Sequence, residues 1–260
     1  MKLVIIEPLG VEEEKLMEIA HKALPDSVEI VSYQTKVTDT ESLTERGKDA
    51  DIIMVANLPL NAEVIKGCKN LKMLAVAFTG IDHIAMAACK EQGITVCNWA
   101  GYSNAAVSDL VFGLLISLYR NIISCDQVVR EEGTKDGLVG FELEGKKFGV
   151  IGTGAIGTRV AKIAQAFGCE VYAYSRTVKD LPGIQFVGLE ELLYNCDIIS
   201  LHVPLNESTK GLIGKDEIAL MKPDAVLINT ARGPVVDSEA LAEAPVSYTH
   251  LRAHETSAHL

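Results

Sequence analysis

A chain of 260 residues, 48% hydrophobic and 23% charged, has ordinary globular composition and is long enough for two packed cores. Its 35 acidic against 24 basic residues leave a formal charge of −11, which excludes nucleic acid or an anionic membrane surface as a main partner, because either would repel it. Six cysteines are scattered without a CxxC pair, mostly in apolar runs, as free thiols of a reducing compartment are.

Met1-Lys2 leads at once into a strand-like run, and Glu7-Pro8 cut that run off before a secretory h-region can form. The longest apolar stretch, 110–119, is too short to span a bilayer, so a cytoplasmic protein is expected. Short β-branched runs at 3–6, 28–31, 51–55, 73–77 and 94–96 read as strands, with helices at 12–24, 40–48, 62–67 and 83–92 between them. Such alternation implies a parallel sheet covered on both faces. The loop Asn98-Trp99-Ala100-Gly101-Tyr102-Ser103 then breaks the series. A long apolar helix at 105–118 and a second at 121–132 follow, ending in the glycine-bearing segment 133–140. Strands at 147–151, 170–174, 197–201 and 225–229 alternate with helices at 155–167, 189–194 and 215–221, and another helix starts near 237. Two α/β domains are expected, with a cleft between them.

Phe148-Gly149-Val150-Ile151 runs into Gly152-Thr153-Gly154-Ala155-Ile156-Gly157 and on into a helix. Gly152 permits the tight turn, Gly154 lets backbone approach a pyrophosphate, and Gly157 lets helix pack on strand. The strand–turn–helix–strand setting lifts this GxGxxG above a chance match and points to a dinucleotide, held where unpaired N–H groups and the positive helix end meet its charge. An acidic residue ending the second strand would accept from the 2′-hydroxyl of NAD; here stand Ser175 and Arg176. A guanidinium without a carboxylate suits a 2′-phosphate, so NADP(H) is favoured and NAD(H) is the alternative.

Four further segments, AFTGIDHI (77–84), NWAGYSNAAVSDLVFGLL (98–115), CDIISLHVPLNESTKGLI (196–213) and NTARGPVVD (229–237), accompany the glycine turn in that order. With them the chain resembles the D-isomer-specific 2-hydroxyacid dehydrogenase family, of the glyoxylate/hydroxypyruvate reductase type. The resemblance implies two Rossmann-like, doubly wound parallel-sheet domains: a flavodoxin-like substrate domain over 1–98 and an NAD(P)-binding Rossmann domain over 99–244. It implies that Arg232 holds the substrate carboxylate and polarises its 2-oxygen, a task suited to a guanidinium fork. Thr79 and Gly80 would bind the same carboxylate through backbone N–H groups. Ala155 and Ile156 would lie over the pyrophosphate, Val203, Pro204 and Thr209 beside the adenosine, and Thr230, Ala231 and Arg232 by the nicotinamide. Ser103, Asn104 and Val107 would lie close to the nicotinamide too. His83 and His202 have no proton-transfer role in the family pattern, and no metal site is expected.

The family completes its site with a glutamate and then a histidine in a Pro-His pair, which exchanges the proton as hydride moves. Neither is identifiable here. The match ends near residue 244, and the tail 245–260, with His250, His254 and His259, has no matching pattern. The expectation is a C-terminally truncated, inactive member joined to foreign or frame-shifted sequence. Phosphoglycerate-type relatives place an arginine just after the third strand, where this chain has Asn57-Leu58-Pro59, which favours a small unphosphorylated 2-oxoacid such as glyoxylate, hydroxypyruvate or pyruvate. The rival reading is a dinucleotide-sensing corepressor module without turnover. The apolar helix 105–118 and the arm after it suggest a homodimer through the dinucleotide domain.

Overall fold

The computed structural model describes residues 1–244, so the tail and its three histidines lie outside the described residues. The chain divides into two compact units, the first Met1–Tyr102 and the second beginning at Ser103.

The first unit alternates β1 (Lys2–Ile5), α1 (Glu13–Ala23), β2 (Glu29–Ser32), α2 (Thr40–Gly47), β3 (Ile52–Val55), α3 (Ala62–Gly67), β4 (Met73–Val76), α4 (Met86–Glu91) and β5 (Thr95–Asn98). All strand pairs are parallel, in the order β2-β1-β3-β4-β5, which is the flavodoxin-like arrangement. Val4, Ile53, Val55 and Leu74 from the central strands pack with Leu43, Val64 and Ile65 from the helices into one buried core. The Asp39 and Asn61 side chains cap α2 and α3 by accepting from Ser42 N and Val64 N, each contributing about 1 kcal/mol. The helix predicted over 83–92 begins only at Met86, because the preceding backbone is taken by another partner. Leu60 N donates to His83 O and Ala85 N to Leu60 O, both at 3.0 Å, and Leu60 bridges Ile84 in parallel.

The second unit opens with α5 (Asn104–Tyr119) and α6 (Ile122–Arg130), bent 57° apart at a break where Asn121 is left-handed. Among the described residues no single helix is long and apolar enough to cross a membrane. Then come β6 (Lys147–Ile151), α7 (Ala155–Ala166), β7 (Glu170–Tyr174), β8 (Ile184–Phe186), α8 (Leu189–Asn195), β9 (Ile198–Leu201), α9 (Lys215–Leu220), β10 (Val226–Asn229), a 3-10 turn (Gly233–Val235) and α10 (Ser238–Glu243). The parallel order β10-β9-β6-β7-β8 reproduces five of the six strands of the Rossmann order 3-2-1-4-5-6, with β6 as its first strand. One sheet face packs Phe148 and Val150 against Phe112, Leu115, Val160 and Ala164. The other packs Ile151, Ile199 and Leu201 against Leu192, Leu193 and Ile218. Burial on both faces is why these strands read as continuous apolar runs.

Candidate functional site

Strand order reverses around β6, so the loops after β6, β7, β9 and β10 share one carboxyl edge of the second sheet. Open α/β sheets bind ligands at such a switch point. The loop after β6 is the glycine turn, pinned on both sides: Gly152 N donates to Tyr174 O (2.8 Å) and His202 N to Ile151 O (2.7 Å).

The three glycines answer to different neighbours. Gly152 has φ +97°, and a Cβ there would lie 2.8 Å from the His202 carbonyl. A Cβ on Gly157 would lie 1.9 Å from Gly152 O, so the helix could not approach the turn. Gly154 is extended (φ −65°, ψ −164°), and a Cβ on it would meet nothing within 4 Å. Protein packing therefore requires two of the glycines, while the third faces open space. Gly154 is also the N-cap of α7 and has no side chain to offer, which leaves the N–H groups of Ala155, Ile156 and Gly157 at the positive helix end without an intrahelical acceptor. Thr153 Oγ1, in the turn, and Thr230 Oγ1, after β10, are buried without a hydrogen-bond partner among the described residues. A cradle beside free amides, with orphaned hydroxyls on the same edge, fits a dinucleotide diphosphate.

Ser175, half-buried, and Arg176, exposed, directly follow β7. Lys179 carries no signal in the sequence, yet its Nζ donates to Thr153 O, which also accepts from Thr158 Oγ1 at 3.1 Å. A cation is thus held against the glycine turn. Val203 and Pro204 follow β9, and Thr209 closes their loop by accepting from Asn206 N (2.9 Å) and donating to Pro204 O.

After β10 the buried Asn229 brackets the next residues. Its Nδ2 donates to Arg232 O (2.9 Å) and its Oδ1 accepts from Ala231 N (3.1 Å). Thr230, Ala231 and Arg232 are thereby held in one rigid turn, with Arg232 Nη1 donating to Ala231 O at 2.9 Å. Asn104 and Val107 lie in the first turn of α5, where Val107 N donates to Ser103 O (2.9 Å) and Ser108 Oγ to Asn104 O (2.7 Å). In the first unit, Thr79 and Gly80 follow β4, and Asn98 Nδ2 donates to Thr79 O at 2.6 Å. Beside them Trp99 N donates to Phe78 O (3.0 Å), and the Tyr102 ring packs on both Trp99 and Phe78.

His202 is committed to structure. Its Nε2 lies 2.9 Å from Ser200 Oγ beneath the glycine turn, and burial pushes its pKa down from 6.5 to about 4. The unfolded chain therefore takes up the proton first as pH falls. Stability from this group is full above pH 6.5 and is lost as pH falls towards 4. At about pH 5 the loss amounts to about 2 kcal/mol. Thermal melts at neutral pH and near pH 5 should therefore show a larger acid-induced drop for the wild type than for His202→Gln; equal drops would contradict this origin of acid sensitivity.

Residues 112–252 match the family described as D-isomer specific 2-hydroxyacid dehydrogenase, NAD binding domain. The chain is 36% identical over 251 residues to D-3-phosphoglycerate dehydrogenase of Methanocaldococcus jannaschii, covering 94% of this chain and 46% of that one. It is 41% identical over 203 residues to hydroxypyruvate reductase of Thermotoga maritima, covering 76% and 66%. The chain thus spans about half to two thirds of the length of these relatives. Among solved structures, an acyclic imino acid reductase in complex with NADPH and D-Arg superposes with a TM-score of 0.88 at 31% identity, covering 99% of this chain and 84% of that one. The fold, the glycine cradle and these likenesses agree: this chain belongs to the D-isomer-specific 2-hydroxyacid dehydrogenase family.

Proposed function

We propose that the protein binds NADP(H) in preference to NAD(H) and transfers hydride reversibly between it and a small unphosphorylated 2-oxoacid, of glyoxylate, hydroxypyruvate or pyruvate type. The observation that carries this reading is the open space at Gly154, beside the free amides of α7 and on the same sheet edge as the Asn229-braced turn of Arg232. The bound nicotinamide supplies the hydride. Amides 155–157 hold the diphosphate, while Ser175 and Arg176, with Lys179 near the turn, suit the extra phosphate of NADP(H). In the second unit Arg232 orients the carboxylate and draws charge onto the 2-oxygen, and in the first the Thr79–Gly80 loop offers backbone amides suited to a carboxylate. The absence of a cation in Asn57-Leu58-Pro59 supports an unphosphorylated substrate.

A second reading, a dinucleotide-binding module without turnover, draws on the same cradle, which by itself calls for a dinucleotide and not for chemistry on a second substrate. One experiment separates the two. Purified chain is mixed with NADPH or NADH, binding is read by cofactor fluorescence, and glyoxylate is added while cofactor absorbance is followed. Tighter NADPH binding with absorbance loss supports the enzyme; binding without loss supports the module. Tighter NADH binding would reverse the cofactor preference.

A cytoplasmic setting suits the free cysteines. Burial raises the Cys68 and Cys169 thiols to about 11 and that of Cys196 to about 12, keeping them unreactive. Exposed Ile122, Ile123, Val129, Val139 and Phe141 cluster on α6 and the segment after it, apolar surface that a homodimer would cover. Light scattering at twice 28.0 kDa is the matching result, and a monomer would reject it.

A further inference from the structure

Glu7 follows β1 and is only 4% exposed. Its Oε1 accepts from three successive backbone amides at the end of β3: Ala56 (2.9 Å), Asn57 (3.0 Å) and Leu58 (2.9 Å). Three N–H groups converging on one point form an anion-binding concavity, filled here by the protein's own carboxylate. The segment held in this way runs on to Leu60, whose backbone pairs with His83 and Ala85 at 3.0 Å on each side. The stretch leading into that pairing begins at Thr79–Gly80, where Asn98 grips the Thr79 carbonyl. Since β1, β3 and β4 are neighbours in the sheet, Glu7, the 56–58 amides and Thr79–Gly80 occupy adjacent loops on one carboxyl edge.

We propose that Glu7 is a positioning residue for substrate. Its carboxylate fixes 56–60, and the Leu60 pairing carries that constraint to the Thr79–Gly80 loop, so that the loop's backbone keeps one shape for a substrate carboxylate. The inference rests on the substrate-binding reading of Thr79–Gly80 given above. Glu7 touches no reacting group and acts through backbone alone. Removing its side chain vacates a hole of three donors that a small carboxylate can refill; a glutamine keeps an acceptor oxygen but loses the charge that strengthens all three bonds.

The test uses the full chain with NADPH present and oxamate as a carboxylate probe, read by the emission of Trp99, the single tryptophan, which is bonded to Phe78 beside the loop. Glu7→Ala should weaken oxamate binding at least tenfold and leave NADPH affinity unchanged, and added formate should restore much of the loss. Glu7→Gln should lose only a few-fold. Oxamate affinity unchanged in Glu7→Ala, or oxamate and NADPH affinity falling together without formate recovery, would overturn the proposal. Should Glu7→Ala not fold, Glu7→Gln decides: faster hydrogen exchange at the 56–58 amides together with weaker oxamate binding supports the relay, and unchanged oxamate binding refutes it. A wild-type chain that binds NADPH but not oxamate would instead overturn the reading of Thr79–Gly80 itself.

Discussion

Gly154→Ala is expected to leave the melting temperature unchanged and to weaken dinucleotide binding by about 10- to 100-fold, about 1.4–2.8 kcal/mol. The backbone at Gly154 is in an extended region open to alanine, and the added methyl meets no protein atom within 4 Å. Any penalty must therefore come from the ligand, whose diphosphate would be pushed off the amides of the α7 first turn. Gly157→Ala makes the contrast. Its methyl would fall 1.9 Å from Gly152 O, so the helix must move off the turn. Overpacking of that kind costs about 1–3 kcal/mol or more, and it misplaces the same amides, so the melting temperature and the affinity should fall together. Calorimetry and cofactor fluorescence read the two quantities separately. If Gly154→Ala bound NADPH and NADH as tightly as wild type, the open space would not be a phosphate cradle and the functional reading would collapse at its base.

That contrast also explains why this part of the site is legible in sequence. The three glycines fall within six residues of chain, so spacing records the motif even though Gly152 answers to His202, far along the chain. The strands are legible for a related reason: burial on both faces leaves apolar runs, as in β9 and β10, where every residue is buried. Where partners are distant, sequence is silent. Glu7 looks like a strand end, because its three donors lie 49 to 51 residues away. Lys179 looks like a loop residue, because its acceptor is 26 residues back. The late start of α4 depends on Leu60, in the loop before α3. β8 escaped for want of length: three residues with Gln185 in the middle carry no period. Asn229 is different. Its partners are two and three residues ahead, the local pattern of an Asx turn, so the signal was present in Asn229-Thr230-Ala231-Arg232 and went unused.

The Asn229 brace also sets what Arg232 can do. A guanidinium on a flexible loop would lose much of its advantage to ordering, whereas here its backbone carbonyl is already fixed by Asn229 and its own Nη1 is bonded to Ala231 O. Arg232→Gln should therefore lower kcat/KM for glyoxylate by about a thousandfold, the scale of losing a preorganised charge-assisted fork at a developing oxyanion. NADPH affinity should stay within about threefold, because the diphosphate amides belong to a different loop. Arg232→Lys should recover little, since an ammonium cannot bind a carboxylate and its 2-oxygen with the same planar geometry. If turnover by the chain is too slow to follow, oxamate binding to the NADPH-loaded protein gives the same ranking, wild type well above Lys and Lys near Gln. Should Arg232→Gln bind oxamate and reduce glyoxylate as wild type does, the substrate carboxylate must be held elsewhere, and Arg232 would be only the residue with which the Asn229 turn ends.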